Sequence, residues 1–66
     1  MDRKKMKAAR RALGLSQEAL ARALKISTVM VHKVEGGTRD ASEELARRWA
    51  AFLVEATARQ QAQAQE

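Results

Sequence analysis

The chain has no cysteine, no proline and no tyrosine, and only three glycines, one tryptophan and one phenylalanine among its 66 residues. Without cysteine it has neither a disulfide staple nor a thiolate metal site, which suits a reducing compartment. No apolar run approaches the roughly 20 residues of a membrane span. The Lys-rich start lacks the apolar segment a secretion signal needs behind it. No nucleophile–base pair, phosphate-cradling glycine loop or metal-spaced cluster occurs. The single histidine, His32, has no cysteine or clustered acids beside it. A chain of this size supports one small core and not a catalytic domain beside a regulator. The expectation is therefore one soluble, cytoplasmic domain that is not an enzyme, with no cofactor, metal, membrane or small-molecule ligand.

What is present is positive charge, unevenly placed. The net charge is +5. From Met1 to Arg39 ten Lys/Arg face three acids, a balance of +7; from Asp40 to Glu66 three bases face five acids, a balance of −2. A polyanion would meet the first part of the chain, and double-stranded DNA is the commonest such partner. Charge alone is equally consistent with lysines and arginines that only solubilise helix surfaces.

The apolar residues recur at helical spacing. Met6, Ala9 and Leu13 form a line on a first helix at about 2–12, which Asp2 can cap and Gly14 ends. Ser16 is a good N-cap for a second helix at about 17–24, with Leu20, Ala21 and Leu24 on one stripe. Ser27 opens a third at about 28–36, with Val31 and Val34 turned inward and Val29, Met30, His32 and Lys33 facing elsewhere. Gly36 and Gly37 end it. After a polar turn, Asp40 or Ser42 can cap a fourth helix at about 42–58, whose wide apolar face holds Leu45, Trp49, Phe52, Leu53 and Ala56. No Gly, Pro, Asn or Asp lies between Ala41 and Glu66, so this helix is long, and the Ala/Gln-rich residues 58–66 are expected to fray or to be disordered. A helix of that length outgrows a small domain. Phe52, Leu53, Val54 and Ala56 are candidates for a twofold contact.

Arg10, Leu13-Gly14-Leu15, Ser16-Gln17, Leu20-Ala21, Ile26, Ser27, Val31, Val34 and Glu35-Gly36-Gly37 together resemble the Cro/repressor-type (XRE-like) helix-turn-helix regulators of bacteria and phage. The resemblance covers residues 4–53 without a gap. It implies an all-α fold, a lambda-repressor-like helix-turn-helix bundle; with the long last helix read above, the expectation is four helices with an extended C-terminal helix, occupying residues 1–57. It implies a recognition helix in the major groove, with Thr28, Val29 and Lys33 at the usual base-reading positions and Met30 and His32 beside them. Lys33 can donate to guanine, Thr28 can serve either base type, and Val29 can meet a thymine methyl. Gln17, Ser27, Thr38 and Arg39 match phosphate-contacting positions. Arg10 and Glu35 match a structural ion pair. Two departures stand out: Lys25 occupies a turn where the family usually carries Gly, and no break follows the fourth helix to start a fifth.

The function implied is a sequence-specific regulator, a repressor, binding a pseudo-palindromic operator as a homodimer. An antitoxin is a close variant that adds a toxin, or another regulatory protein, as partner. The rival from another class is a helical protein-interaction module with an incidental basic surface.

Overall fold

The computed structural model describes residues 2–64, and these form four helices and no strand. The helices are α1 (Arg3–Ala12), α2 (Gln17–Leu24), α3 (Thr28–Gly36) and α4 (Glu43–Ala64). Each starts at a side chain that satisfies an orphan amide, as helix N-termini require. Asp2 accepts from the Lys4 and Lys5 amides at 3.0 and 3.2 Å. Ser16 Oγ accepts from Ala19 and Ser27 Oγ from Met30, each at 3.0 Å. For α4 the capping side chain is Ser42 and not Asp40, its Oγ accepting from the Leu45 amide at 3.1 Å. Glu43 and Glu44 then place negative charge against the positive end of the helix dipole.

The core is the meeting of three apolar stripes. Leu20, Ala21 and Leu24 of α2, Val31 and Val34 of α3, and Leu45, Trp49 and Leu53 of α4 are all buried. Met6, Ala9 and Leu13 of α1 pack on them from the side, with Ile26, Met30, Ala41 and Phe52. Burying each of the large residues contributes on the order of 1.5–3 kcal/mol before entropy is subtracted. Trp49 is fully buried, and its indole N–H has no hydrogen-bond partner. An orphan donor of this kind opposes folding by roughly 1–3 kcal/mol, so Trp49 stabilises by shape and area.

Two sequence expectations for α4 differ from the structure. Leu53 is a core residue, 3 % exposed, and not part of a free contact face. The reason is its register: Leu45, Trp49 and Leu53 recur every four residues and share one face. The helix also continues through the Ala/Gln-rich stretch to Ala64, because nothing in that stretch stops it. Gln65 and Glu66, the end of the expected frayed tail, lie outside the described residues. At about 1.5 Å per residue, 22 residues span roughly 33 Å. The last buried position is Leu53; Ala56 and Thr57 are half-buried, and residues 58–63 are exposed.

The α2–α3 turn depends on Lys25, the one non-glycine residue with positive φ (58°, ψ 44°) among the described residues. In this left-handed conformation its amide closes the end of α2 onto the Ala21 and Arg22 carbonyls, and the Ile26 amide bonds Ala21 O at 3.0 Å. The Arg48 guanidinium of α4 donates to the Leu24 carbonyl and so satisfies another orphan acceptor of the same turn. A Cβ in this region strains the backbone by about 1 kcal/mol relative to Gly. Lys25→Gly is therefore expected to stabilise by up to about 1 kcal/mol, partly offset by the greater freedom of Gly in the unfolded chain. Thermal unfolding followed by circular dichroism reads this as a rise of a few degrees; a fall would show that the lysine side chain contributes more than its backbone strain removes.

Candidate nucleic-acid interface

The nine residues of α3 divide by angle. At about 100° per residue, Thr28, His32, Val29 and Lys33 share one outward arc, Val31 and Val34 lie on the other side, and Glu35 lies at the border beside Thr28. The burial follows this division. Thr28, Val29, His32 and Lys33 are exposed, with Val29 at 60 %, and Val31, Val34 and Glu35 are buried. Met30, expected among the base-reading residues, is half-buried and packs on the core beside Val34. Its position next to the inward arc leaves it at the edge of the outer face. The outer face thus carries one hydroxyl, one isopropyl group, one imidazole and one ammonium, on a helix too short to bend.

The other expected contact residues lie at the ends of these helices. Ser27 uses an oxygen lone pair to cap α3, which leaves its O–H free to donate. Arg39 is exposed just beyond the α3 terminus. Thr38 lies beside it, and its hydroxyl donates to the Lys33 carbonyl at 3.3 Å, so it would have to rotate before reaching a phosphate. The turn that presents both residues is fixed by Gly37 at φ 82° and by the Thr38 amide bonding Lys33 O at 3.0 Å. Arg3 of α1 lies across Gly37, where an added Cβ would fall 2.8 Å from its guanidinium carbon. Nothing in the sequence marks that contact.

Behind the outer face, Glu35 is the centre of a polar cluster. Arg10 donates from Nε to Glu35 Oε2 at 2.7 Å and from Nη2 to Oε1 at 3.1 Å, a two-pronged pair with both residues 7 % exposed. The remaining Arg10 nitrogen, Nη1, donates to the Leu15 carbonyl at 2.7 Å. Gln17 Nε2 donates to Glu35 Oε1 at 3.0 Å. The Gln17 amide group carries two N–H bonds; one is used by Glu35, and the second remains for a ligand at the α2 N-terminus. Four segments thereby meet at one carboxylate: α1, the α1–α2 turn, the start of α2 and the end of α3. The Leu15 and Gln17 bonds could not be read from spacing, since neither residue stands at a helical interval from Arg10 or Glu35.

Burial by itself raises the Glu35 carboxyl above its ordinary value of 4.5, but the hydrogen bonds from Arg10 and Gln17 and the charges of Arg10 and Lys7 outweigh it, and the net direction is down. A carboxyl with a depressed native value stabilises the fold above its unfolded value, and this contribution is lost as pH falls through the native one. Wild-type stability should consequently fall as pH drops below about 4.5. In Glu35→Gln that slope should be shallower, with Asp2, the other carboxyl held low, unchanged in both proteins. Removing one partner strands the other charge, a loss of about 3–5 kcal/mol, comparable with the whole stability of a small domain. Arg10→Met and Glu35→Leu should each come close to unfolding the protein, and the double substitution should restore cooperative urea unfolding. Additive losses in that cycle would contradict the pairing.

The pattern of a short capped helix, a left-handed turn and a second helix with one face in the core also matches at the level of sequence families. A family model described as helix-turn-helix matches residues 6–53, more than two thirds of the chain. No curated protein and no solved structure gives a significant match. Among the described residues, no helix is long and apolar enough to cross a membrane. The chain belongs to the Cro/XRE-like helix-turn-helix family of DNA-binding regulators.

Proposed function

We propose that the protein is a sequence-specific repressor that binds a pseudo-palindromic operator as a homodimer, with the outer face of α3 in the major groove. The observation that carries this reading is the outward arc of Thr28, Val29, His32 and Lys33 on a helix whose opposite side is locked into the core. A rigidly held helix of nine residues can present its first turns to base edges, which is how such motifs read DNA. Lys33 donates to guanine O6 or N7, Thr28 serves either base type, and Val29 meets a thymine methyl. Only one of these groups is a cation, and none is a bidentate fork, so part of the discrimination comes from DNA shape.

Backbone contacts set the register. The spare Gln17 N–H, the Ser27 O–H and the α2 and α3 N-termini present donors to phosphates on one side. Arg39, with Thr38 once its hydroxyl turns outward, supplies the other side. The net +7 of residues 1–39 draws the duplex to this part of the chain. Repression follows from occlusion of a promoter by the bound dimer.

Selection of bound sites from a random duplex library is the test. The expected product is an inverted repeat with half-sites about one turn apart, bound about a thousandfold or more tighter than scrambled DNA. Lys33→Ala should relax one position in each half-site, by about 1–3 kcal/mol of discrimination. Arg39→Ala should weaken specific and scrambled DNA alike and lower the salt slope by about one. Weak, salt-sensitive binding without enrichment would mean that the basic surface is only a nonspecific attraction.

A further inference from the structure

The basic residues of α1 have no part in the reading face described so far, yet one of them is more than a solvated charge. Arg3 opens α1 and is exposed, and its guanidinium lies against Gly37, the residue that ends α3. A Cβ on Gly37 would fall 2.8 Å from both Nε and Cζ of Arg3 and 3.2 Å from Nη2. The group thus occupies the side of Gly37 where any other residue carries its side chain. Glycine is required here twice, once for its φ of 82° and once for the space the arginine fills.

The two residues after Gly37 are Thr38 and Arg39, proposed above as phosphate donors. Arg3 and Arg39 border one cleft of about 270 Å³, between the start of α1, the α3–α4 turn and the start of α4. Arg10–Glu35 is the one ion pair among the described residues, so neither of these arginines is tied to a carboxylate. Two acids, Asp40 and Glu43, also line the cleft. Glu43 stands in the first turn of α4, where the positive end of the helix dipole compensates it. The balance is two guanidiniums against one uncompensated carboxylate.

We infer that Arg3, held against Gly37, is a further DNA-backbone contact, donating from α1 to a phosphate beside the one that Arg39 meets. The inference rests on the reading that sets α3 in the major groove, since that placement brings the α3–α4 turn to the duplex. A guanidinium presents its N–H groups as a fixed fork that matches phosphate oxygens. The Gly37 contact also restricts the side chain beforehand, so less rotamer freedom is lost on binding than for a free surface arginine. Lys4, the next residue, is exposed but does not border the cleft, and lies about 100° further round the helix. It supplies a control with the same charge.

The test is binding to a fluorescent scrambled duplex, followed by anisotropy between about 50 and 200 mM salt. R3A should lower the slope of log affinity against log salt by about one per chain, and K4A should leave it nearly unchanged. G37N keeps a residue that tolerates the left-handed conformation but sets a Cβ against Arg3. It should lose what R3A loses, and R3A/G37N should lose no more than either single variant. Circular dichroism establishes that each variant is folded; should G37N not fold, the comparison of R3A with K4A decides alone. R3A indistinguishable from K4A would overturn the inference, as would additive losses in R3A/G37N. The slope on scrambled DNA is measurable whether or not any site is enriched, and Lys33→Ala relaxes specificity whether or not R3A changes the slope. Failure of the Arg3 contact is thereby distinguished from failure of base reading by α3.

Discussion

The arrangement of this protein depends on one buried carboxylate. Glu35 stands at the end of the helix that carries the exposed arc of Thr28, Val29, His32 and Lys33, and three segments converge on it through Arg10 and Gln17. Arg10 reaches across from α1 and also holds the Leu15 carbonyl in the turn before α2. Had this site been apolar, the helices could slide on one another with little penalty. A planar guanidinium matched to a carboxylate admits one relative position. A buried pair of this kind contributes little net stability, so its main consequence here is geometric: it fixes where α3 stands relative to α1 and the start of α2. The second N–H of Gln17, proposed above as a phosphate donor, lies directly on the network that holds α3.

The rest of the molecule supports that placement with local devices. Serine hydroxyls start α2, α3 and α4, and left-handed residues end α2 and α3. The connections are short, so the helices have little freedom once the core forms. The strain at Lys25 and the unpartnered Trp49 indole are both tolerated because the packing around them leaves few alternatives. The outer face of α3 is then free of any packing role, since Val31 and Val34 on the opposite side already hold the helix.

Most of this was legible in the sequence where the cause is local. Ser16 and Ser27 announce helix starts, Gly37 announces a stop, and the stripes at Leu20, Ala21, Leu24, Val31 and Val34 announce a core. Arg10 and Glu35 are 25 residues apart, and only the family resemblance suggested joining them. What spacing could not reach was the destination of long side chains. Arg48 looks like any surface arginine, yet it closes the end of α2 at the Leu24 carbonyl. Arg3 lies over Gly37. Met30 stands at a boundary between faces and is half-buried against the core, whereas Leu53 shares the core face of Leu45 and Trp49, because burying a large apolar side chain outweighs leaving it free. The α4 helix runs to Ala64, beyond its expected end near 58, because Ala and Gln, though they read as weak structure, propagate a helix already begun.

The central claim is that the outer face of α3, held by the Glu35 cluster, is the surface that touches DNA. Its most direct test is titration of isotope-labelled protein with the selected duplex, following each backbone amide by nuclear magnetic resonance. The account predicts that the largest shifts fall at Thr28, Val29, His32 and Lys33, accompanied by Gln17 and Arg39. Saturable DNA binding that leaves the α3 amides unmoved would contradict it.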